Sequence, residues 1–302
     1  MLWLTLGGCG GGSGKATVPN APAGEGPSQP ARMLRVVAAE NEYGNIAEQL
    51  GGEHVKVLSI ISDPNVDPHE YEANVQDVTE IAQADLVIEN GLDYDQWIDK
   101  LMAASPNSAR VVLNAGTIAV HSLRDNPHVW YDLGNMAALA GAISKAFTRL
   151  DPADQAYFQH RLDEFNKSLQ PIADKIAQIR ERFAGTPTAL TETLCLFQTD
   201  ALKLDILTPW DFMHAIAEGN DPSVQSLATT RDQVRGRKVR VLLYNVQTIT
   251  PITSDLKKTA QSEGIPIVPV SETMPLQMTY QTWMLSQLDQ LQAALEQTVK
   301  QK

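Results

Sequence analysis

The sequence has little cysteine and few aromatic residues, and it lacks a long hydrophobic run. Aromatic residues make up 6% of the 302 residues, which argues against an aromatic-lined groove for sugars. The two cysteines are Cys9 and Cys195, and Cys195 has no disulfide partner if Cys9 carries a lipid. No stretch approaches the roughly 20 consecutive apolar residues of a membrane-spanning helix. We therefore expect a soluble protein, or one held to a membrane by something other than a helix.

Basic residues are also scarce. The chain has 24 lysines and arginines against 36 acidic residues, and its formal net charge is -12. Such a chain repels nucleic acid phosphates and anionic lipid headgroups, so neither is an expected partner. An acidic surface attracts cations weakly, because salt screens this attraction over about 10 Å. The charge is therefore compatible with cation binding without pointing to it.

The first 33 residues differ from the rest of the chain. Residues 1–6 form a short apolar run, and LGGC at 6–9 resembles a bacterial lipobox with Cys9 as the acylated residue. The run is shorter than the apolar segment of about 7–15 residues in a full signal peptide. We interpret residues 1–9 as a truncated lipoprotein signal, although a glycine-rich N-terminus with a stray cysteine is the alternative. Residues 10–33, rich in Gly, Ser, Ala and Pro, are typical of a disordered tether.

Strand and helix patterns alternate along the remaining chain, whose length suits two domains. This alternation favours an α/β fold, in which mostly parallel sheets are flanked by helices. Only helical patterns occur between about 152 and 183, where Pro171 is expected to introduce a kink. The pattern predicts three parts, which are an N-terminal α/β lobe (34–150), a bridging helix (151–185) and a C-terminal α/β lobe (186–302).

Two of the six histidines directly follow a proline in a loop that precedes a helix. His69 lies in DPHEYE at 67–72, and His128 lies in NPHVWYD at 126–132. Loops of this kind lie at the carboxyl edge of a parallel sheet, where open α/β folds bind their ligands. A single loop histidine is more often a surface residue, and we give that interpretation to the other four. The repeated Pro-His pair favours a ligand site.

Two glutamates follow predicted strands of the second half. Glu192 lies in LTET at 190–193, and Glu272 lies in VSETMP at 270–275. Glutamates at such positions often cap the next helix. Together with His69 and His128, however, they would supply two carboxylates and two imidazoles. This mixed set suits zinc, manganese or iron.

The four segments, taken together, resemble the metal-binding proteins of zinc and manganese ABC importers, which are solute-binding proteins of the zinc-uptake component A type. The similarity rests on DPHEYE at 67–72 with ADLV at 84–87, NPHVW at 126–130, TET at 191–193 with Phe197, and IPI at 265–267 with SET at 271–273. It extends from about residue 34 to the C-terminus. The resemblance implies two lobes joined by one long rigid bridging helix, with the metal held by His69, His128, Glu192 and Glu272.

The departures from the family pattern affect the identity of the metal. The position of Glu192 is His in many zinc proteins and Glu in many manganese proteins, and that of Glu272 is more usually Asp. The chain also lacks the His-rich loop of many zinc members, since only His121 lies between the two ligand histidines. The resemblance therefore implies one bound Zn²⁺ or Mn²⁺ without selecting between them.

The implied function is capture of this ion as cargo and its delivery to the permease of an ABC importer. Such a protein is not an enzyme and acts as a monomer in the periplasm or at the outer face of the cytoplasmic membrane, attached only through the lipid on Cys9. The rigid helix implies local loop movement instead of a wide closure of the lobes. The alternative is an extracellular metal- or carboxylate-dependent hydrolase that uses Glu192 and Glu272.

Overall fold

The computed structural model describes residues 1–3, 8, 10–11, 32–64, 66, 68, 71–124 and 126–300. The chain divides into two units, Met1–Arg32 and Met33–Lys302. The second unit contains the helices and strands described below. Cys9 and His69 lie outside the described residues.

The first half of the larger unit forms a four-stranded sheet. Its strands are β1 (Leu34–Glu40), β2 (Val55–Ile61), β3 (Leu86–Glu89) and β4 (Val111–Asn114). They are all parallel and lie in the order β2-β1-β3-β4. All residues of β1 except Arg35 are buried, as expected for a central strand covered on both faces.

A helix follows each of these strands. They are α1 (Asn41–Gly51), α2 (Val75–Gln83), α3 (Gln96–Ala104) and α4 (Ala115–Ile118). A Cβ added at Gly44 would overlap the hydroxyl of Ser59, so α1 can lie this close to β2 only without a side chain there. The helix α2 begins with a capping box formed by Asn74 and Asp77.

Three helices follow the first sheet, namely α5 (Leu133–Leu150), α6 (Gln155–Ser168) and α7 (Gln170–Phe183). The segment predicted as one bridging helix is thus divided at Leu169, which keeps a helical backbone with φ of -78° and ψ of -18°. Pro171, which follows within the first turn of α7, lacks a backbone N–H and cannot bond to the carbonyl of Lys167. This explains why the division falls where a kink is expected.

The second half has the same sheet topology as the first. Its strands are β5 (Pro187–Leu190), β6 (Asp205–Ile206), β7 (Val241–Asn245) and β8 (Ile267–Val270). They are parallel and lie in the order β6-β5-β7-β8. The helices of this half are α8 (Leu196–Ala201), α9 (Trp210–Ala217), α10 (Val224–Arg235), α11 (Pro251–Ser262) and α12 (Tyr280–Lys300). The expected α/β class with parallel sheets flanked by helices is confirmed.

One continuous cluster of buried apolar side chains joins the two sheets. It includes Val36 and Leu86 of the first sheet, Leu190 and Leu242 of the second, and Trp130. A smaller cluster covers the other face of the first sheet. In the described part of the chain, no helix combines the length and apolar character needed to cross a bilayer.

Candidate metal centre

In each sheet the second strand in the chain lies on one side of the first strand, and the later strands lie on its other side. The position where the side changes is the topological switch point. In the first sheet this position lies between β1 and β3, and in the second it lies between β5 and β7. The carboxyl ends of strands at such a switch point form the usual ligand crevice of open parallel sheets. Glu192 follows β5 by two residues and Glu272 follows β8 by two residues, so both lie at the carboxyl edge of the second sheet.

His128 is fully buried and its ring has a defined orientation. Its Nδ1 lies 2.6 Å from Oδ1 of Asn126. The amide of Asn126 is oriented in turn, because its Nδ2 donates to the carbonyl of Thr193 at 3.0 Å. Oδ1 must therefore accept, so Nδ1 of His128 carries the proton and Nε2 carries the lone pair that can bind a metal. A hydrogen bond of this kind is the usual partner of a metal-ligating histidine.

Glu192 and Glu272 both accept a hydrogen bond from the same side-chain nitrogen. Nδ2 of Asn245, the last residue of β7, donates to Oε1 of Glu192 and to Oε1 of Glu272, the latter at 2.6 Å. Two oxygens within hydrogen-bond reach of the same nitrogen are at most about 6 Å apart. The two glutamates are 2% and 0% exposed. The predicted carboxylates are thus brought together in the interior of the protein.

Residues of both halves orient Glu272. The hydroxyl of Tyr94, in the loop after β3, donates to Oε2 at 2.8 Å. The backbone N–H of Glu272 donates to Oε1 of Gln247 at 2.6 Å, which fixes the start of its loop. The aromatic rings of Tyr94 and His128 are neighbours, with centroids 5.7 Å apart. Tyr94 therefore links the carboxylate of one half to the imidazole of the other.

His69, the fourth predicted ligand, lies outside the described residues, so the structure gives no geometry for it. In the chain, His69 falls between β2 and α2. The described loops that follow the strands of the first sheet include the loop with Tyr94, after β3, and the segment that leads to His128, after β4 and α4.

Two further glutamates are completely buried near this edge. Glu40 ends β1 and Glu42 lies in the first turn of α1, and both are 0% exposed. Within the described part of the chain, none of their four carboxyl oxygens has a hydrogen-bond partner. Burial raises the pKa of Glu42 from 4.5 to about 8, with smaller contributions from the charges of Glu272 and Asp95. Burial also raises the pKa of Glu40 well above its ordinary value. Burial therefore favours the protonated form of both groups.

Several acidic side chains lie near the candidate metal centre. Asp95 accepts hydrogen bonds from the backbone N–H groups of Asn90 and Gly91 at 2.6 and 2.8 Å, yet burial still raises its pKa to about 7. Carboxylates placed this close to one another disfavour each other's ionisation. A divalent cation at the centre would relieve that repulsion, so the electrostatics favour binding of a positive ion.

Sequence reasoning did not identify Asn126, Asn245 or Glu42 as part of this arrangement. Asn126 lies inside the motif that carries His128, so its position two residues before a candidate ligand was a usable signal. Asn245 ends a strand and thereby shares the signal that selected the two glutamates. Nothing in the sequence around Glu42 distinguishes it from a surface glutamate at a helix N-terminus.

Comparison with known proteins adds a family and a fold. The family model described as "Zinc-uptake complex component A periplasmic" matches residues 36–294. The iron-binding protein YfeA of Yersinia pestis is 28% identical over 177 residues, which cover 55% of this chain and 54% of YfeA. The manganese ABC transporter substrate-binding lipoprotein PsaA of Streptococcus anginosus is 27% identical over 169 residues, covering 52% and 53%. The chain thus spans about half the length of these curated relatives.

The likeness to solved structures extends further than these alignments. The periplasmic zinc-binding protein TroA of Treponema pallidum superposes with a TM-score of 0.74 at 19% identity, covering 87% of this chain and 99% of TroA. At this level of identity the comparison shows a shared fold. The two-lobed α/β architecture is therefore the one seen in that protein.

Proposed function

The chain belongs to the zinc-uptake complex component A family, and on that premise we propose that it captures a divalent transition metal ion, zinc or manganese, outside the cytoplasmic membrane and delivers it to the permease of an ABC importer. The observation that carries this proposal is the convergence of Glu192 and Glu272 on Asn245. The proposed ligands are these two carboxylates, Nε2 of His128, and His69.

The chemistry of this donor set supports a transition metal as cargo. Two carboxylates neutralise the charge of a divalent ion, and two neutral imidazoles add the nitrogen ligands that zinc, manganese and iron accept. Monodentate carboxylates would give a tetrahedral zinc site, whereas bidentate carboxylates raise the coordination number towards that of manganese. The related proteins named above for iron, manganese and zinc support this range of ions.

The burial of the carboxylates argues against the hydrolase alternative. Glu192 and Glu272 are 2% and 0% exposed, so a sugar or peptide cannot reach them without rearrangement, whereas a single ion can. Four protein ligands would also fill a tetrahedral zinc site and leave no position for an attacking water. None of the relatives described above is named as a hydrolase.

Calorimetric titration of zinc and manganese into residues 33–302, stripped of metal with a chelator, tests the proposal. We expect the tightest equivalent to bind with micromolar or better affinity, and His128→Ala, Glu192→Ala, Glu272→Ala and His69→Ala each to weaken its binding. His160→Ala, on an exposed helix face, is the matched control and should bind as wild type does. Absence of binding would disprove metal capture, and unchanged binding by the four variants would disprove the ligand assignment.

The proposal includes attachment through a lipid on Cys9. The names of relatives described as lipoproteins support it, as does the LGGC sequence at 6–9. In bacterial cells we expect Cys9→Ser to move the protein from the membrane fraction to the soluble fraction. Equal membrane association of both forms would exclude this anchor. We further propose that the protein acts as a monomer, which size-exclusion chromatography with light scattering tests directly.

A further inference from the structure

A second group of potential metal ligands lies at the opposite end of the first sheet. His54 ends a short 3-10 turn, Gly52–His54, directly before β2 begins. Asp151 follows α5, and Asp154 ends a second short turn, Pro152–Asp154, directly before α6. Each of the three side chains offers one ligand atom, and these atoms all lie within 4.8 Å of one another.

The local backbone explains why these side chains converge. Asp151 is the N-cap residue directly before the turn Pro152–Asp154, and Asp154 is the last residue of that turn, so one short turn brings the two carboxylates near each other. Rings of α6 hold the imidazole of His54, with centroid distances of 4.5 Å to Tyr157 and 5.6 Å to Phe158. The donors are therefore positioned by backbone and packing before any ligand arrives.

The distances and charges fit a divalent ion. Nδ1 of His54 lies 2.9 Å from Oδ2 of Asp154. Adjacent ligands of an octahedral ion with bonds of about 2.1 Å are about 3.0 Å apart, so these two atoms need little movement to share a metal. One neutral imidazole and two carboxylates balance a charge of +2. A simple His–Asp ion pair, by contrast, would use only one of the two carboxylates.

We propose that His54, Asp151 and Asp154 form a second, peripheral site for a divalent transition metal ion such as Zn²⁺ or Mn²⁺. Nδ1 of His54 and Oδ2 of Asp154 are within hydrogen-bond distance of each other, and binding of the ion replaces this contact. The side chains of His54 and Asp154 are 17% and 31% exposed, so water completes the coordination and exchange is fast. The bound ion ties the end of α1 to the connection between α5 and α6.

This site is distinct from the buried centre. His54 precedes β2, whereas the candidate ligands Glu192 and Glu272 belong to a centre at the carboxyl edges of the sheets. The seven residues of β2 alone span about 20 Å at a rise of about 3.3 Å per residue. The proposal does not rest on the proposed function, because His54, Asp151 and Asp154 are not among the proposed ligands of the buried centre.

Equilibrium dialysis of the full chain against Zn²⁺ or Mn²⁺, with metal content measured by mass spectrometry, tests the proposal. Wild type should bind two equivalents, the second with a dissociation constant at least about ten-fold weaker than the first. His54→Gln, which keeps a hydrogen bond to Asp154, should bind one. His160→Gln is the matched control, since His160 is also paired with an acidic residue, Glu164, and should bind two.

Further variants keep the outcomes distinguishable. Asp151→Asn conserves side-chain volume and should also lose the weaker equivalent, and a circular dichroism melt reports whether each variant folds. Crystals soaked in Zn²⁺ should give an anomalous peak beside His54. A single equivalent in wild type that both variants retain, or retention of two equivalents by both variants, would overturn the peripheral site. A single equivalent in wild type that both variants lose would count against the proposed function and leave this site standing.

Discussion

The hydrogen bond between His128 and Asn126 determines which imidazole nitrogen faces the candidate centre. Asn126→Ala removes the acceptor at 2.6 Å from Nδ1, so the ring loses both its orientation and its preferred tautomer. We expect metal affinity to fall about 10–100-fold, the usual cost of removing such a partner. Competition titration against a fluorescent chelator measures this change.

Two variants control for this effect. Asn126→Asp keeps an oxygen acceptor for Nδ1 and should retain more affinity than Asn126→Ala. Asn220→Ala removes an exposed asparagine and should leave affinity unchanged. If Asn126→Ala binds metal as tightly as wild type, the tautomer argument is wrong.

Glu42 makes the stability of the metal-free protein depend on pH. Burial raises its pKa from 4.5 to about 8, so the folded state holds a proton that the unfolded state has lost between these values. The unfolded state then binds fewer protons, and the free energy of unfolding falls as pH rises from about 4.5 to about 8. We expect Glu42→Gln to melt at a higher temperature than wild type at pH 8, by at least several degrees, with the difference disappearing near pH 4.5.

Thermal melts followed by circular dichroism between pH 4.5 and 8 measure this dependence. Glu53→Gln serves as the control because Glu53 is exposed in the short turn after α1, and this variant should follow wild type throughout. A constant difference between Glu42→Gln and wild type across the pH range would contradict the argument.

At the residue scale, the limits of sequence reasoning follow from burial. Glu192 and Glu272 could be selected because they follow apolar strands. Glu40 ends a strand and Glu42 lies in the first turn of a helix, and ordinary surface acids also occupy such positions. Only the packed structure shows that both are 0% exposed. Asn245 gains its role from two carboxylates that are 53 and 27 positions away in the chain. Contacts at such separations leave no local pattern.

Among the elements, α2 depends on its N-terminal cap. Oδ1 of Asn74 accepts from the backbone N–H groups of Gln76 and Asp77, while Oδ2 of Asp77 accepts from the N–H of Asn74 at 2.7 Å. We expect Asn74→Ala to lower the free energy of unfolding by about 1 kcal/mol. This loss corresponds to a decrease of about 2–4 °C in melting temperature for a domain of this size.

Urea unfolding measures the change, and Asn74→Ser, which can restore the cap, should recover most of the loss. Because the connection between β2 and α2 carries His69, the alanine variant should also bind metal more weakly than its loss of stability alone implies. Unchanged stability of Asn74→Ala would show that the cap contributes nothing in the folded protein.

Sequence patterns indicate elements best where a strand is continuously apolar or a helix has clear apolar spacing. They fail for elements that are short or polar. The helix α10, Val224–Arg235, has only three buried residues and its sequence VQSLATTRDQVR lacks a clear apolar face. It is held by the cap of Ser223 and by its packing, which a pattern search cannot detect. The strand β6 has only two residues, too few for any period to be visible.

For the whole molecule, the contacts between the two halves predict limited movement on metal binding. The side chain of Asn41 donates to the carbonyl of Met274 at 2.7 Å and accepts from its N–H at 2.9 Å, and both residues are buried. The hydroxyl of Tyr131 reaches the carbonyl of Ser271 at 2.8 Å. A continuous apolar core also joins the halves, and such packing resists large rotation.

We therefore expect small-angle scattering curves of the metal-free and zinc-bound protein to give the same radius of gyration within error. Hydrogen exchange should detect local changes instead, in the loops that follow β2 and β8. A scattering change as large as that of sugar-binding proteins that close like a clamshell would contradict this prediction.

The position of α12 has a consequence for biosynthesis. The N–H of Tyr280 bonds to Oδ1 of Asn45, and its hydroxyl bonds to the carbonyl of Trp130, so α12 completes the packing of the N-terminal half. A ribosome that has released only the first 200 residues has therefore made a half that cannot close its own core. These contacts span 235 and 150 positions, and contacts at such separations form slowly. The nascent chain thus stays open until α12 emerges, and a truncation before residue 280 should yield aggregates in place of a stable N-terminal lobe.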